Sequence, residues 1–219
     1  MVNEKEHDDQ EEKERPYSFY EQKATMRALH FYISGVIDDP KLYTDMIHQI
    51  RIATPQDAIH IHLNTPGGQI ATGVQIINAI RGSQGKVTTH LEGEVCSMGS
   101  MLFLAGHEMV CYDNCVMMFH NYSGGNYGKG HELTVALEAT NKWINTLMVD
   151  VCYPFLSHEE LDRIIRGEDL WMQSEEIGTR LVAMTEQLQE EADLAKAAEE
   201  EAKSAPKKKT PRKKRTTKS

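Results

Sequence analysis

The chain has 219 residues, 40% of them hydrophobic, which suits one domain of ordinary size with a real core plus tails. No run of eighteen apolar residues exists to span a membrane, and the opening MVNEKEHDDQEEKER has no apolar stretch of the kind a secretion signal needs. The formal charge of −9 is uneven: Lys203 and PKKKTPRKKRTTKS hold nine of the 24 basic residues, leaving 15 basic against 33 acidic side chains on residues 1–202, a net of −18. So acidic a body argues against nucleic acid as its main ligand.

Residues 1–28 read as a charged, flexible N-terminal segment. LHFYISGVID (29–38) reads as a strand, and LYTDMIHQIRIA (42–53) places Leu42, Met46, Ile47 and Ile50 on one helical face. AIHIHLN (58–64) alternates as a strand does. A TPGG turn leads into the helical pattern of QIATGVQIINAIRG, with Gly82 near its end. KVTTHLEGEV (86–95) is a strand that runs directly into the apolar helix SMGSMLFLAG (97–106). EMVCYD and CVMMFHNY are two further strands. ELTVALEATNKWINTLMVDVCYPFL (132–156) is a long amphipathic helix, and SHEELDRIIRG opens another with a Ser-x-x-Glu cap signal.

Alternating strands and helices over 29–183 predict an α/β architecture with largely parallel strands. The folded domain is expected over 29–185. An acidic helix projects over 186–203, and a disordered basic tail fills 204–219.

Four cysteines, Cys96, Cys111, Cys115 and Cys152, form no CxxC pair and read as reduced thiols of a cytoplasmic protein. Cys111 and Cys115 flank the turn signal Asp113-Asn114, and only His120 is near in sequence as a third ligand, so no metal is expected there.

Three segments carry chemistry. In GEVCSMGS (93–100) a strand turns sharply into a helix at Ser97, a position that exposes a hydroxyl beside helix N–H groups; it suits a nucleophile, though on this segment alone a plain N-cap is favoured. NTPGG (64–68) could bring backbone N–H groups close to a ligand, though such turns are common. VMMFHNYSGG (116–125) ends a strand on His120, placed for acid–base work. His60, His62 and His90 alternate along strands and read as structural or surface residues.

NTPGGQIATGVQIINAI, GEVCSMGSMLFLAG, VMMFHNYSGGNYGKG and GEDLWMQSEE, in that order, resemble the proteolytic subunit of Clp protease over about residues 29–180. The resemblance implies a ClpP/crotonase-like fold of repeated strand–helix units with a handle helix, here 132–156 after a glycine-rich strand, assembling as a homo-oligomer of two stacked seven-membered rings. It implies a serine endopeptidase with Ser97 as nucleophile, His120 as general base and then acid, and Asp169 orienting the imidazole. Asp162 and Glu168 are the nearby acids that compete with Asp169 for that role. Gly68 and Met98 would donate N–H groups to the oxyanion, while Gly67, Gly124 and Gly125 would bind an extended peptide. The expected substrates are unfolded polypeptides, delivered by an ATP-dependent AAA+ unfoldase, with no cofactor on this subunit and no nucleic acid beyond weak contact with the basic tail. The sequence departs from the family pattern at Glu168, where the family has arginine, and at Tyr122, where it has proline. Two alternatives stay open: a phage capsid-maturation peptidase of the same fold, and a non-catalytic ring subunit.

Overall fold

The computed structural model describes residues 26–204 apart from Asn126, with the backbone alone over 201–204. Of the flexible segment expected over 1–28 only residues 26–28 are described, and of the basic tail expected over 204–219 only the backbone of Ser204; the rest of both lies outside the described residues.

Six strands form one sheet: β1 (Ala28–Ser34), β2 (Ala58–Thr65), β3 (Lys86–Cys96), β4 (Glu108–Cys111), β5 (Val116–Phe119) and β6 (Leu170–Gln173). The order is β1-β2-β3-β5-β6, with β4 also paired to β3. All pairings are parallel except β5 with β6. Parallel strands need crossovers, and helices α1 (Thr44–Arg51) and α2 (Ile70–Arg81) supply them.

The period-two pattern of β2 sets its two faces. Ile59, Ile61 and Leu63 are buried in the core, where Ile47 and Ile50 of α1 and Ile76, Ile77 and Ile80 of α2 also lie. Helix α3 (Met98–Leu104) is buried along its whole length, as its mostly apolar sequence requires. At the foot of the sheet the buried Asp57 carboxylate accepts hydrogen bonds from Arg27 Nε (3.0 Å), Arg27 Nη2 (2.7 Å) and the Thr54 N–H (2.7 Å). These donors, Arg27 foremost, hold its carboxyl well below the usual carboxylate range.

The long helix α4 spans Gly130–Cys152, starting and ending earlier than its periodicity suggests. Tyr153 precedes Pro154, and a residue before proline is steered out of the helical region. The segment 121–129, expected as a glycine-rich strand, contains no strand among the described residues. A strand needs a neighbouring edge, and β5 has spent its pairing with β6 once Phe119 meets Leu170.

Helix α5 (His158–Ile165) carries the expected capping box, with Ser157 Oγ accepting from the Glu160 N–H at 3.2 Å and Glu160 Oε2 accepting from the Ser157 N–H at 2.9 Å. Helix α6 runs unbroken from Ser174 to Ser204, so no break separates the body from the acidic stretch at 186. Ile177 and Met184 are buried; beyond Met184 almost every residue faces solvent.

Candidate active site

Ser97 joins β3 to α3 in a backbone conformation rare for any residue but glycine, φ 57° and ψ −124°. Such a conformation costs on the order of 1–3 kcal/mol and persists only where the surroundings over-determine it. They do so here. The Ser97 N–H donates to Met118 O at 2.8 Å, and the buried Ser100 hydroxyl lies 3.0 Å from Val95 O and 2.7 Å from Met118 O. Ser100 thereby links β3, α3 and β5 beneath the turn.

The NTPGG turn closes over the same point. Gly67 has φ +94°, and a Cβ on it would sit 2.7 Å from Ser97 Cβ and 2.6 Å from Cys96 O. Gly68 has φ +152°, and its Cβ would fall 2.1 Å from Ile37 O. Ile37 donates to Gly67 O and accepts from the Gln69 N–H, both at 2.8 Å, so the N–H of Gly68 between them points to the other side of this bridge. On α3, a Cβ on Gly99 would lie 2.7 Å from Thr65 Cγ2, which makes that glycine a requirement of packing.

Although Ser97 occupies the N-cap position of α3, its hydroxyl makes no capping bond. Instead Oγ lies 2.8 Å from His120 Nε2. The simple N-cap reading of Ser97 therefore fails, and a hydroxyl–imidazole pair takes its place. His120 follows Phe119, the last residue of β5, and β5 pairs with β3 at Cys96↔Met118. Two adjacent parallel strands thus deliver serine and histidine at the same end of the sheet.

Asp169 immediately precedes β6. The antiparallel register pairs Phe119 with Leu170, so one further step sets His120 opposite Asp169. The carboxylate is exposed and makes no hydrogen bond or ion pair among the described residues, and His120 Nδ1 likewise meets no hydrogen-bond partner there. Of the competing acids, Glu168 is taken by Arg163, whose Nε lies 2.8 Å from Glu168 Oε2. This contact pulls the Glu168 carboxyl below its ordinary range. Asp162 lies on α5, where its backbone carbonyl accepts from Arg166 Nε at 3.0 Å and its carboxylate makes no hydrogen bond among the described residues.

Ser97 and His120 open onto a cavity of about 650 Å³, walled by Ile70, Met98, Met101, Phe119, Ile144 and Met148. Met98 follows Ser97 as the first helical residue of α3, where an N–H has no partner within the helix. Gly68 is also on the cavity wall, whereas Gly124 and Gly125 are exposed and border a second cavity further along α4. Cys96, beside Ser97, is buried, and burial followed by the neighbouring Glu94 pushes its thiol up to about 12, so it is not a competing nucleophile.

His60, His62 and His90 stand with His30 and Tyr32 on the sheet face opposite Ile59 and Ile61. Successive rings stack at centroid distances of 4.7 Å (His30–His60), 4.4 Å (Tyr32–His62) and 4.6 Å (His62–His90). Burial is the main cause that lowers the pKa of His60 and His90, which keeps both neutral at pH 7. This cluster is roughly 20 Å along β3 from Ser97 at ~3.3 Å per residue. Among the described residues, no group of three or more His, Cys, Asp or Glu side chains is arranged to hold a metal ion, and no helix is long and apolar enough to cross a membrane.

A family model described as Clp protease matches residues 11–179, starting upstream of Leu29, where the resemblance read from the sequence begins.

Proposed function

Because the chain belongs to the Clp protease family over well more than half its length, we propose that it is a serine endopeptidase using Ser97, His120 and Asp169. The single observation that carries this reading is the 2.8 Å contact between Ser97 Oγ and His120 Nε2, at a strained turn and with no capping bond in competition.

Chemically, Ser97 Oγ attacks the carbonyl carbon of the scissile peptide while its proton passes to His120 Nε2. The carbonyl oxygen becomes an oxyanion, held by the N–H groups of Gly68 and Met98. On collapse the C–N bond breaks and the departing amine takes the proton from Nε2, leaving an acyl ester on Ser97. Water then attacks this ester with His120 again as base, which releases the acid product and restores the serine. In the substrate-bound enzyme the Asp169 carboxylate would turn to accept a hydrogen bond from His120 Nδ1–H, fixing the tautomer that leaves Nε2 free to take the proton.

The apolar cavity supports recognition of hydrophobic side chains in unfolded polypeptides, because folded proteins keep such side chains inside. Gly67, Gly124 and Gly125 flank the path of an extended peptide in this reading. Self-association into stacked rings is supported by α4, which exposes Val135 (64%), Leu137 (52%) and Trp143 (46%) on a single helix. Delivery by an ATP-dependent unfoldase completes the proposal.

Intact-mass measurement after treatment with a fluorophosphonate tests the assignment. One adduct on the wild-type chain, absent from Ser97→Ala, is expected, together with loss of peptide hydrolysis by at least about 10³-fold. Hydrolysis at the full rate by purified Ser97→Ala would overturn it.

A further inference from the structure

Two residues beyond His120, the half-buried Tyr122 ring borders two apolar cavities. One is the 650 Å³ cavity that holds Ser97 and His120; the other, of about 400 Å³, is lined by Leu133, Leu137, Thr140 and Trp143 with Gly124 and Gly125 at its edge. Ile70, Tyr122 and Ile144 are common to both. Helix α4 floors both cavities with one face: Ile144, Leu147 and Met148 under the first, Leu133, Leu137 and Thr140 under the second, at the three- and four-residue spacing of a single stripe.

Asn141 lies between these two sets on α4. The Tyr122 hydroxyl donates to its Oδ1 at 2.6 Å, so the ring is pinned to the helix where one cavity gives way to the other. Its backbone is fixed as well. The Tyr122 N–H donates to Asn121 Oδ1 at 2.8 Å, and Asn121 Nδ2 donates to Ile165 O at 2.8 Å. An aromatic ring tethered at both ends is a partition.

We propose that Tyr122 is a specificity-determining wall, which closes the Ser97 cavity toward its neighbour and so limits the apolar side chain that the acyl-side residue of the cleaved bond can seat. The proposal rests on the reading of Ser97 as nucleophile. With the ring gone, the two cavities join into one trough along α4, long enough for a fused aromatic side chain. Discrimination in an apolar pocket runs at about 10–200-fold for small differences in fit, and this is the scale of change expected.

The test uses the full chain and a series of fluorogenic peptides that differ only at the acyl-side residue: alanine, leucine, phenylalanine and tryptophan. The quantity read is the tryptophan-to-leucine ratio of kcat/KM. Tyr122→Ala is expected to raise it about tenfold or more, whereas Tyr122→Phe, which keeps the ring and loses only the hydroxyl, leaves it at the wild-type value. Tyr122→Leu, which preserves more of the packing, raises it less and serves if the alanine variant does not fold.

The same ratio is measured for binding, as dissociation constants of the uncleaved peptides on Ser97→Ala with and without Tyr122→Ala. An equal fall for every peptide, or a ratio that does not move in folded Tyr122→Ala, overturns the wall. Absence of a fluorophosphonate adduct on the wild-type chain would instead fault the nucleophile assignment, and the binding ratios would still decide the role of Tyr122.

Discussion

The two sides of His120 are built differently. Toward Ser97, every neighbour is fixed: the hydroxyl is within 2.8 Å of Nε2, the serine N–H is bonded to β5, and Gly67 leaves no space for even a methyl group. Toward Asp169, the register sets the two residues opposite one another in the chain, but the Asp169 carboxylate is exposed and makes no hydrogen bond among the described residues. Backbone packing holds the first side, whereas on the second no hydrogen bond or ion pair among the described residues holds the exposed carboxylate. Under the proposed mechanism the nucleophile would thus be preset by folding, whereas the orientation of its base would depend on what covers Asp169. Catalytic hydrogen bonds that are loose in a free enzyme commonly tighten in the complex.

The sharpest way to break this comparison is Asp169→Asn. If the carboxylate orients His120 in the working enzyme, the amide favours the wrong tautomer and kcat falls about 10³–10⁴-fold, with KM nearly unchanged and the Ser97–His120 contact intact. Steady-state kinetics on a short peptide provide the check. An unchanged kcat would mean that His120 works without this carboxylate and that the open side of the site stays open.

Gly67→Ala attacks the preset side instead. The new methyl would meet Cys96 O, a backbone atom, at 2.6 Å, at a φ of +94° that alanine avoids. A loss of about 2–4 kcal/mol in unfolding free energy is expected, read by urea denaturation, with fluorophosphonate labelling slowed in the fraction that still folds. Wild-type stability would show that the serine turn tolerates movement, and the contrast between the two sides would lapse.

How much of this could be read in the sequence follows the same division. The strands β1 to β5, the helices α1 to α3 and the turn at Ser97 were legible because their apolar residues repeat at two or 3.6 residues or cluster in short runs, bounded by turn residues such as Gly35, Thr54-Pro55, Pro66-Gly67 and Gly82. The strand β6 was not: LWMQ has four residues, pairs antiparallel at the sheet's edge and leaves Trp171 53% exposed, so it carries no periodic signal. Yet β6 is what sets Asp169 opposite His120, which explains why the sequence left Asp162 and Glu168 in competition with it. Ser100 and Gly99 were missed as well, since packing beneath a turn leaves no pattern until two strands and a helix are brought together. Tyr122 was visible only as a departure from a family pattern, and its tether to Asn141 spans nineteen residues that nothing in the local sequence connects.

The smallest effect expected bears on the frame that carries Asp169. Arg180 of α6 bonds the Glu160 carboxylate of α5 through Nη1 (3.0 Å) and Nη2 (2.7 Å), with Arg180 Nη1 also 3.4 Å from Phe155 O, so it clamps the two helices on either side of β6. Hydrogen bonds from Arg180 above all hold the Glu160 carboxyl down at about 2. A carboxyl depressed in the fold stabilises above its unfolded value, and that contribution is lost as pH falls through the folded one. Glu160→Gln is therefore expected to cost about 1–3 kcal/mol at pH 7, with the gap from wild type narrowing between about pH 4.5 and pH 2. Thermal or urea unfolding across that range checks it. A gap independent of pH would assign the loss to packing and capping of α5. A gap that closes on schedule, joined to a drop in kcat larger than the stability change explains, would show that the α5–α6 clamp holds the Asp169 side in reach of His120.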